Sequence, residues 1–489
     1  MIMTMITSAF RRRINLALLP ALTLTACGGT PQATGNTTVP VASTPAATPV
    51  PAPVASPGCS LRARQDWAAA ALREYYLLPE TLPATLDPSS YASVETYIDA
   101  LTATARAQGK DRYFTYLTSI AEEDAYNASG ATAAFGIRLQ TDTAARRVSI
   151  ADSYEGAPAL AAGIDRGTEI LAVGATPDTL VSVASLIESG GNALSNAFGP
   201  ANAGVTRAFR ISDAGGTRVV SVTKADFSLP PVSPRFGSRV ITADGARIGY
   251  VNLRTFITTA EAPLRAAFDG FRAQGITQII VDFRYNGGGL LSQAYVMADL
   301  MGQNRQPSDV LNYITFRASQ SASNQTRLFQ PQPQSVAPTR IAFIATGASA
   351  SASELVINSF VPYLRADAIL VGANTFGKPV GQIAIDRREC DDRLRVMAFA
   401  TQNAARQGDY FRGLASTVGA SCAAGDGLAR SMGDPEETST RVAIDALAGR
   451  ACTPISVEAR AQSLAAAERR DPLLPDRPTV AQRDLPGTF

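Results

Sequence analysis

The 489-residue sequence contains no histidine, and that absence removes a whole class of chemistry. Without an imidazole there is no Ser-His-Asp or Cys-His catalytic arrangement and no His-ligated metal site. Lysine is almost missing as well. Only Lys110, Lys224 and Lys378 occur, and the remainder of the 44 basic residues are Arg. This sequence uses Arg wherever a plain positive charge suffices. Each Lys therefore marks a position where Arg was not taken, and a buried Lys, unlike Arg, can accept a proton. Charge of one sign is not in excess either, with 44 basic against 42 acidic residues and a net +2. No basic stretch is interleaved with aromatics, so neither nucleic acid nor an anionic surface is an expected partner. No Cys-x-x-Cys pair is present, which speaks against a zinc ribbon or a thioredoxin-like site. Neither a metal nor another cofactor is expected.

Apolar residues make up 46% of the chain, enough to build cores over a length that suits about three domains. Residues 1–26 read as a signal peptide, with Arg11, Arg12 and Arg13 as the charged region and 14–24 as the apolar one. The segment ends Leu24-Thr25-Ala26-Cys27-Gly28, which resembles a bacterial lipobox whose Cys becomes the lipidated first residue. Residues 27–58 are rich in Pro, Thr, Ala and Val, uncharged and aperiodic, and read as an extended tether. Together these features predict a folded part held outside the cytoplasm by a lipid on Cys27. It would sit in the cell envelope facing the periplasm, with the outer membrane as the favoured host. Four cysteines remain: Cys59, Cys390, Cys422 and Cys452. An even number in an exported chain predicts two disulfides, among three possible connectivities. The expectation is Cys390 with Cys422, close in sequence, and Cys59 with Cys452, which flank the folded part.

Residues 59–128 read as a helical region. Trp67, Ala70, Leu72, Tyr75 and Tyr76 suggest one apolar face, and Val94, Ile98, Leu101 and Ala105 a second helix. From 129 to 227 the pattern changes to short alternating runs at 135–139, 147–150, 169–173, 206–211 and 218–223, punctuated by Gly and Pro. Within it, a short Ala-rich helix, a Gly turn and a strand (Pro158, Ala162, Gly163, Gly167, Ile170, Leu171) resemble the middle of a PDZ domain. Phe135, Gly136, Ile137 and Arg138 would then form its carboxylate-binding loop. In that fold, loop amides capture a chain end and the peptide adds as a strand. From 228 to 489 strands alternate with helices, as in an α/β core followed by a Cys-containing C-terminal region. The spacing of Leu264, Ala267, Phe268 and Phe271 predicts an amphipathic helix over 260–273. The apolar run Ile279-Ile280-Val281 predicts a buried parallel strand.

Three loops in the α/β part carry chemistry. Asn286-Gly287-Gly288-Gly289 and Ser349-Ala350-Ser351-Ala352-Ser353-Glu354 follow predicted strands, where open α/β sheets place their sites. The second runs into a helix, whose free N–H groups favour a developing anion. Thr375-Phe376-Gly377-Lys378-Pro379-Val380-Gly381-Gln382 follows a third strand and holds one of the three lysines. A serine nucleophile without histidine needs another base, and Lys can serve.

These three motifs, in this order after a PDZ-like segment, resemble the C-terminal processing (tail-specific) peptidases, serine peptidases with a Ser/Lys dyad. The resemblance spans roughly residues 60–430. It implies a crotonase-like β/α spiral with an inserted PDZ-like domain and an N-terminal helical cap. It implies Ser351 as nucleophile, Lys378 as base and Gln382 as the residue that orients the base. The oxyanion hole falls to the backbone N–H groups of Ala352 and Gly289, with Glu354 in support. The function implied is endopeptidase action on envelope proteins recognised by their free, apolar C-termini, without cofactor. Two alternatives stand beside it: a peptide- or ligand-binding lipoprotein that keeps the fold without catalysis, which has no need to keep Ser351, Lys378 and Gln382 together, and an ester or amide hydrolase acting on envelope polymers with the same dyad.

Overall fold

The computed structural model describes residues 57–456 and 470–489. The leader, Cys27 and the tether up to residue 56 lie outside the described residues. Among the described residues no helix is long and apolar enough to cross a membrane.

The first long helix, Leu61–Tyr75, starts where the Ser60 hydroxyl accepts the Ala63 N–H. It buries Gln65, Ala68, Ala69, Ala71 and Leu72. Ala70 is exposed, not on the expected apolar face, because it lies two residues past Ala68 on the far side of the turn. Leu72 and Tyr76 pack with the second helix, Val94–Leu101, and with Leu394, Val396 and Met397 of the strand Asp392–Gln402. The region read as helical also holds a strand, Tyr116–Ser119, paired antiparallel with Asp392–Gln402. One aromatic and one leucine in four residues are too short a run to signal it.

A β-rich region follows. Ile137–Asp142, Arg147–Ser153, Glu169–Gly174, Thr206–Asp213 and Gly216–Thr223 form an antiparallel sheet. The alternation that predicted these strands places Ile137, Leu139, Val148, Ile150, Phe209 and Ile211 in one core. This sheet gains a strand from far along the chain. Asp471–Pro472 pairs with Ile137–Asp142, and Phe489 is buried in the same core. A boundary drawn at residue 227 therefore misses a piece of this unit.

The central sheet runs in the order Ser238–Ala243, Ala246–Asn252, Gln278–Asp282, Arg340–Ala345, Ala368–Gly372, Ala420–Ala423. All pairings but the first are parallel. Ile279, Ile280 and Val281 are fully buried, which is why that strand reads as a continuous apolar run. On one face the helix Glu261–Ala273 buries Leu264, Ala267, Phe268 and Phe271, as the spacing predicts. Each large side chain there contributes about 1.5–3 kcal/mol. Three neighbouring strands, Gln278–Asp282, Arg340–Ala345 and Ala368–Gly372, end side by side at one edge. They deliver the three motif loops to the same place. A second sheet contains the hairpin Val380–Arg387 and Asp392–Gln402, joined by Val310–Phe316.

Beneath the first loop, Arg284 is fully buried and pairs with Asp282 at 2.8 Å, Glu437 at 2.9 Å and Asp426 at 3.2 Å. Burial alone would raise the Asp426 carboxyl. The Arg166 and Arg284 guanidiniums and the Tyr285 hydroxyl outweigh it and hold that carboxyl well below the usual range.

The disulfides correct the expected pairing: Cys59 bonds Cys390 and Cys422 bonds Cys452, with Cα separations of 5.6 and 5.4 Å. The cause is topological. Packing of Leu61–Tyr75 on Asp392–Gln402 brings Cys59 to the turn Arg388–Cys390. Cys422 sits on the edge strand Ala420–Ala423, where Ala423 N–H donates to the Thr453 carbonyl and so fixes Cys452 alongside.

Candidate active site

Three serines lie at the entry to the helix Ala352–Leu364, Ser349 and Ser351 before it and Ser353 in its first turn, and their surroundings separate them. Ser349 is buried and donates to the Phe283 carbonyl at 2.7 Å. Ser353 is buried and donates to the Asn286 carbonyl at 3.0 Å. Ser351 alone keeps partial exposure, and it lines a cavity of about 270 Å³ with Lys378, Gln382 and Gly289. Its backbone stands at φ 54°, ψ −111°, a strained conformation for a residue with a side chain. The strain persists because the flanks are tied. Ala350 N–H donates to the Asn286 carbonyl, and Ser351 N–H donates to Glu354 Oε2 at 2.9 Å.

Glu354, fully buried, is the hinge-pin of the site. Besides Ser351 N–H, its carboxylate accepts Gly377 N–H at 2.6 Å and Lys378 N–H at 2.7 Å. One side chain thus fixes the backbone of both residues expected to react. Burial raises its pKa, and the three N–H groups oppose that shift by favouring the charged form.

Lys378 Nζ donates to Gln382 Oε1 at 2.9 Å and stands 5.0 Å from the centre of the Phe114 ring. The Gln382 amide group in turn donates to the Phe114 carbonyl. Burial lowers the Lys378 pKa to about 8, against the opposing pull of the Asp484 carboxyl. The other two lysines do not face Ser351. Lys110 is exposed, and Lys224 donates to the Gly199 and Pro200 carbonyls.

The 286–289 loop packs against the serine. Asn286 donates from Nδ2 to the Leu253 carbonyl and accepts the Gly288 N–H on Oδ1. The N–H groups of Gly289 and Ala352 have no hydrogen-bond acceptor among the described residues. Ala352 directly follows Ser351 in the chain, and Gly289 lines the same cavity as Ser351. Gly289, at φ 130°, is required: a Cβ there would sit 2.4 Å from the Phe256 carbonyl oxygen.

The expected peptide-binding loop divides. Gly136 and Ile137 present their N–H groups to the outer edge, where the Phe489 carbonyl accepts both at 3.0 and 3.3 Å. Phe135 and Arg138 are not lining residues, a correction to the sequence reading. The Phe135 ring packs edge-on against Phe209 in the core. The Arg138 guanidinium turns inward, to the Tyr154 hydroxyl at 3.0 Å and the Tyr285 carbonyl at 3.1 Å, one residue before Asn286.

Two contributors escaped the sequence reading. Arg112 donates to the Phe376 and Gly377 carbonyls and lies 4.0 Å over the Phe376 ring, clamping the lysine loop. Asp484 lines the same cavity as Ser351 and Lys378 but is a lone acid 102 or more residues from any motif, with nothing local to mark it.

The family model described as Peptidase family S41 matches residues 247–406. The carboxyl-terminal-processing protease of Picosynechococcus sp. is 25% identical over 252 residues, 52% of this chain and 56% of that protein. The chloroplastic C-terminal processing peptidase of Tetradesmus obliquus is 27% identical over 177 residues, covering 35% of this chain and 36% of that one. The chain spans about half or less of the length of these curated relatives. A solved structure named as an S41 protease from Bacteroides fragilis shares the fold, with a TM-score of 0.60 at 21% identity. The match covers 78% of this chain and 97% of that one.

Proposed function

We propose that this chain, whose residues 247–406 match the model of Peptidase family S41, is a serine endopeptidase working through a Ser351/Lys378 dyad. One observation carries the reading: Glu354 ties the backbones of Ser351 and Lys378 together beside a shared cavity, while Gln382 aims the amine. Neutral Lys378 takes the proton from Ser351 Oγ. The alkoxide attacks a peptide carbonyl, whose oxygen develops its charge against the Ala352 and Gly289 N–H groups. Lys378 returns the proton to the leaving amine. Water, deprotonated by the same lysine, then cleaves the acyl-enzyme.

The β-rich region acts as a PDZ-type clamp for substrate C-termini, with the outer edge of Ile137–Asp142 and the Gly136 and Ile137 N–H groups as its receiving surface. The substrates are envelope proteins, reached from a lipid anchor on Cys27. Palmitate labelling of wild type and Cys27→Ser tests the anchor, and equal labelling rejects it. The activity is tested by mass spectrometry of peptides released from envelope proteins. Release by wild type and not by Ser351→Ala supports the reading, and release by both rejects it.

A further inference from the structure

The receiving edge of Ile137–Asp142 is already taken by the chain itself. Leu139 N–H donates to the Gly487 carbonyl at 2.8 Å, and Phe489 N–H donates to the Ile137 carbonyl at 2.9 Å. The Gly136 and Ile137 amides meet the Phe489 carbonyl, and Asp471 lies opposite Thr141 in the same ladder. The Phe489 ring is buried in the core of the β-rich region, 5.1 Å from the Phe198 ring.

The same segment reaches the catalytic cleft. Gly287 N–H donates to the Asp484 carbonyl at 2.8 Å. The approach is so close that a Cβ on Gly287 would meet the Arg483 carbonyl oxygen at 2.6 Å. Val480 and Asp484 wall the cavity that holds Ser351 and Lys378. A second cavity, about 830 Å³, opens on Lys378 and Gln382 and is also walled by Arg483, Asp484 and Pro486. Asp484 presents a negative charge toward the amine, which favours the ammonium, the form that cannot act as base.

We propose that residues 470–489 are a built-in ligand of the peptide-receiving edge that also closes the active-site cleft, so that a substrate's chain end must displace them. The proposal rests on the peptide-clamp reading above. Its physical basis is exclusion. The Gly136, Ile137 and Leu139 amides each have one proton to donate, and an added strand from a substrate needs the same protons. A tethered segment competes at an effective concentration in the millimolar range, so a free peptide binds only to the fraction of molecules in which the segment has left. A contact chain links the two places: the Thr488 hydroxyl meets the Tyr154 hydroxyl at 2.8 Å, Tyr154 accepts from Arg138, and Arg138 donates to the Tyr285 carbonyl beside the 286–289 loop.

The test uses binding, so that its outcome is independent of catalysis. A fluorescein-labelled synthetic peptide of residues 478–489 is titrated into full-length protein carrying Ser351→Ala, with and without Phe489→Ala. Removing the anchor ring should tighten the apparent Kd of the added peptide by about tenfold or more. A form ending at Arg470, checked for cooperative melting, should bind as tightly or tighter. Equal affinity of the full-length proteins with and without Phe489→Ala overturns the proposal, as does a cooperatively melting shortened form that binds no better than the intact one. If these gains appear while no Ser351-containing form hydrolyses peptides, the built-in ligand stands and the peptidase reading falls.

Discussion

Lys378 Nζ donates to Gln382 Oε1 at 2.9 Å, and Gln382 is itself held by the Phe114 carbonyl from the N-terminal region. The amine is therefore aimed by a side chain that reaches back across the sequence to residues preceding the β-rich region. Replacing Gln382 separates aim from charge. Gln382→Ala should lower kcat on the order of tenfold, part of the usual contribution of a positioned base. Gln382→Glu keeps the shape but sets a carboxylate beside the ammonium. The pH at which activity rises should then move up by one unit or more. Rate profiles of the three proteins from pH 6 to 10 check both outcomes. An unshifted profile for Gln382→Glu would remove Gln382 from the base's surroundings.

The lysine must be neutral to act, so activity should rise with pH through about 8. Burial sets that value, and the charges facing the amine modify it: Asp484, Asp111 and Glu354 raise it, and Arg483 lowers it. Asp484→Asn removes the largest of the raising charges. Its profile should shift to lower pH, the opposite direction to Gln382→Glu. The Asp484 carboxyl is itself pushed up to about 6 by burial. A folded-state carboxyl raised above its unfolded value contributes stability below the unfolded pKa and loses it as pH rises through about 6. Asp484→Asn should therefore flatten the fall in melting temperature between about pH 4 and 6.

Glu354 accepts three backbone N–H groups in a fully buried setting. Glu354→Gln keeps the volume but replaces one accepting oxygen with a donor, leaving at least one buried N–H facing another. The expected loss is about 1–3 kcal/mol. It should appear as a lower melting temperature together with a drop in kcat, because the same bonds position Ser351 and Lys378. Denaturant unfolding and steady-state kinetics on one preparation check the pair of effects.

The catalytic candidates were legible because their chemistry is local. Each motif loop follows one strand of a parallel sheet, and the buried strands announce themselves as apolar runs such as Ile279-Ile280-Val281. The missing histidine sharpened the choice of Lys378. Relationships closed by folding were not legible. The pairing of Cys59 with Cys390 depends on how the first helix lies on a strand more than 300 residues later. Four cysteines carry no information on that. The inward turn of Arg138 depends on Tyr285, and the docking of Phe489 on an edge strand formed by residues 137–142. Strands such as Tyr116–Ser119 and Val380–Arg387 owe their state to neighbours rather than to their own pattern.

The dyad itself is tested most directly by kcat/KM of Lys378→Arg on one peptide substrate across pH 6–10, beside wild type, Lys378→Ala and Ser351→Ala. Arg keeps the positive charge and much of the length but cannot accept the serine proton. All three variants should fall by about a thousandfold or more at every pH, and to similar levels, since members of one catalytic unit do not contribute additively. Near-normal hydrolysis by Lys378→Arg would contradict the account.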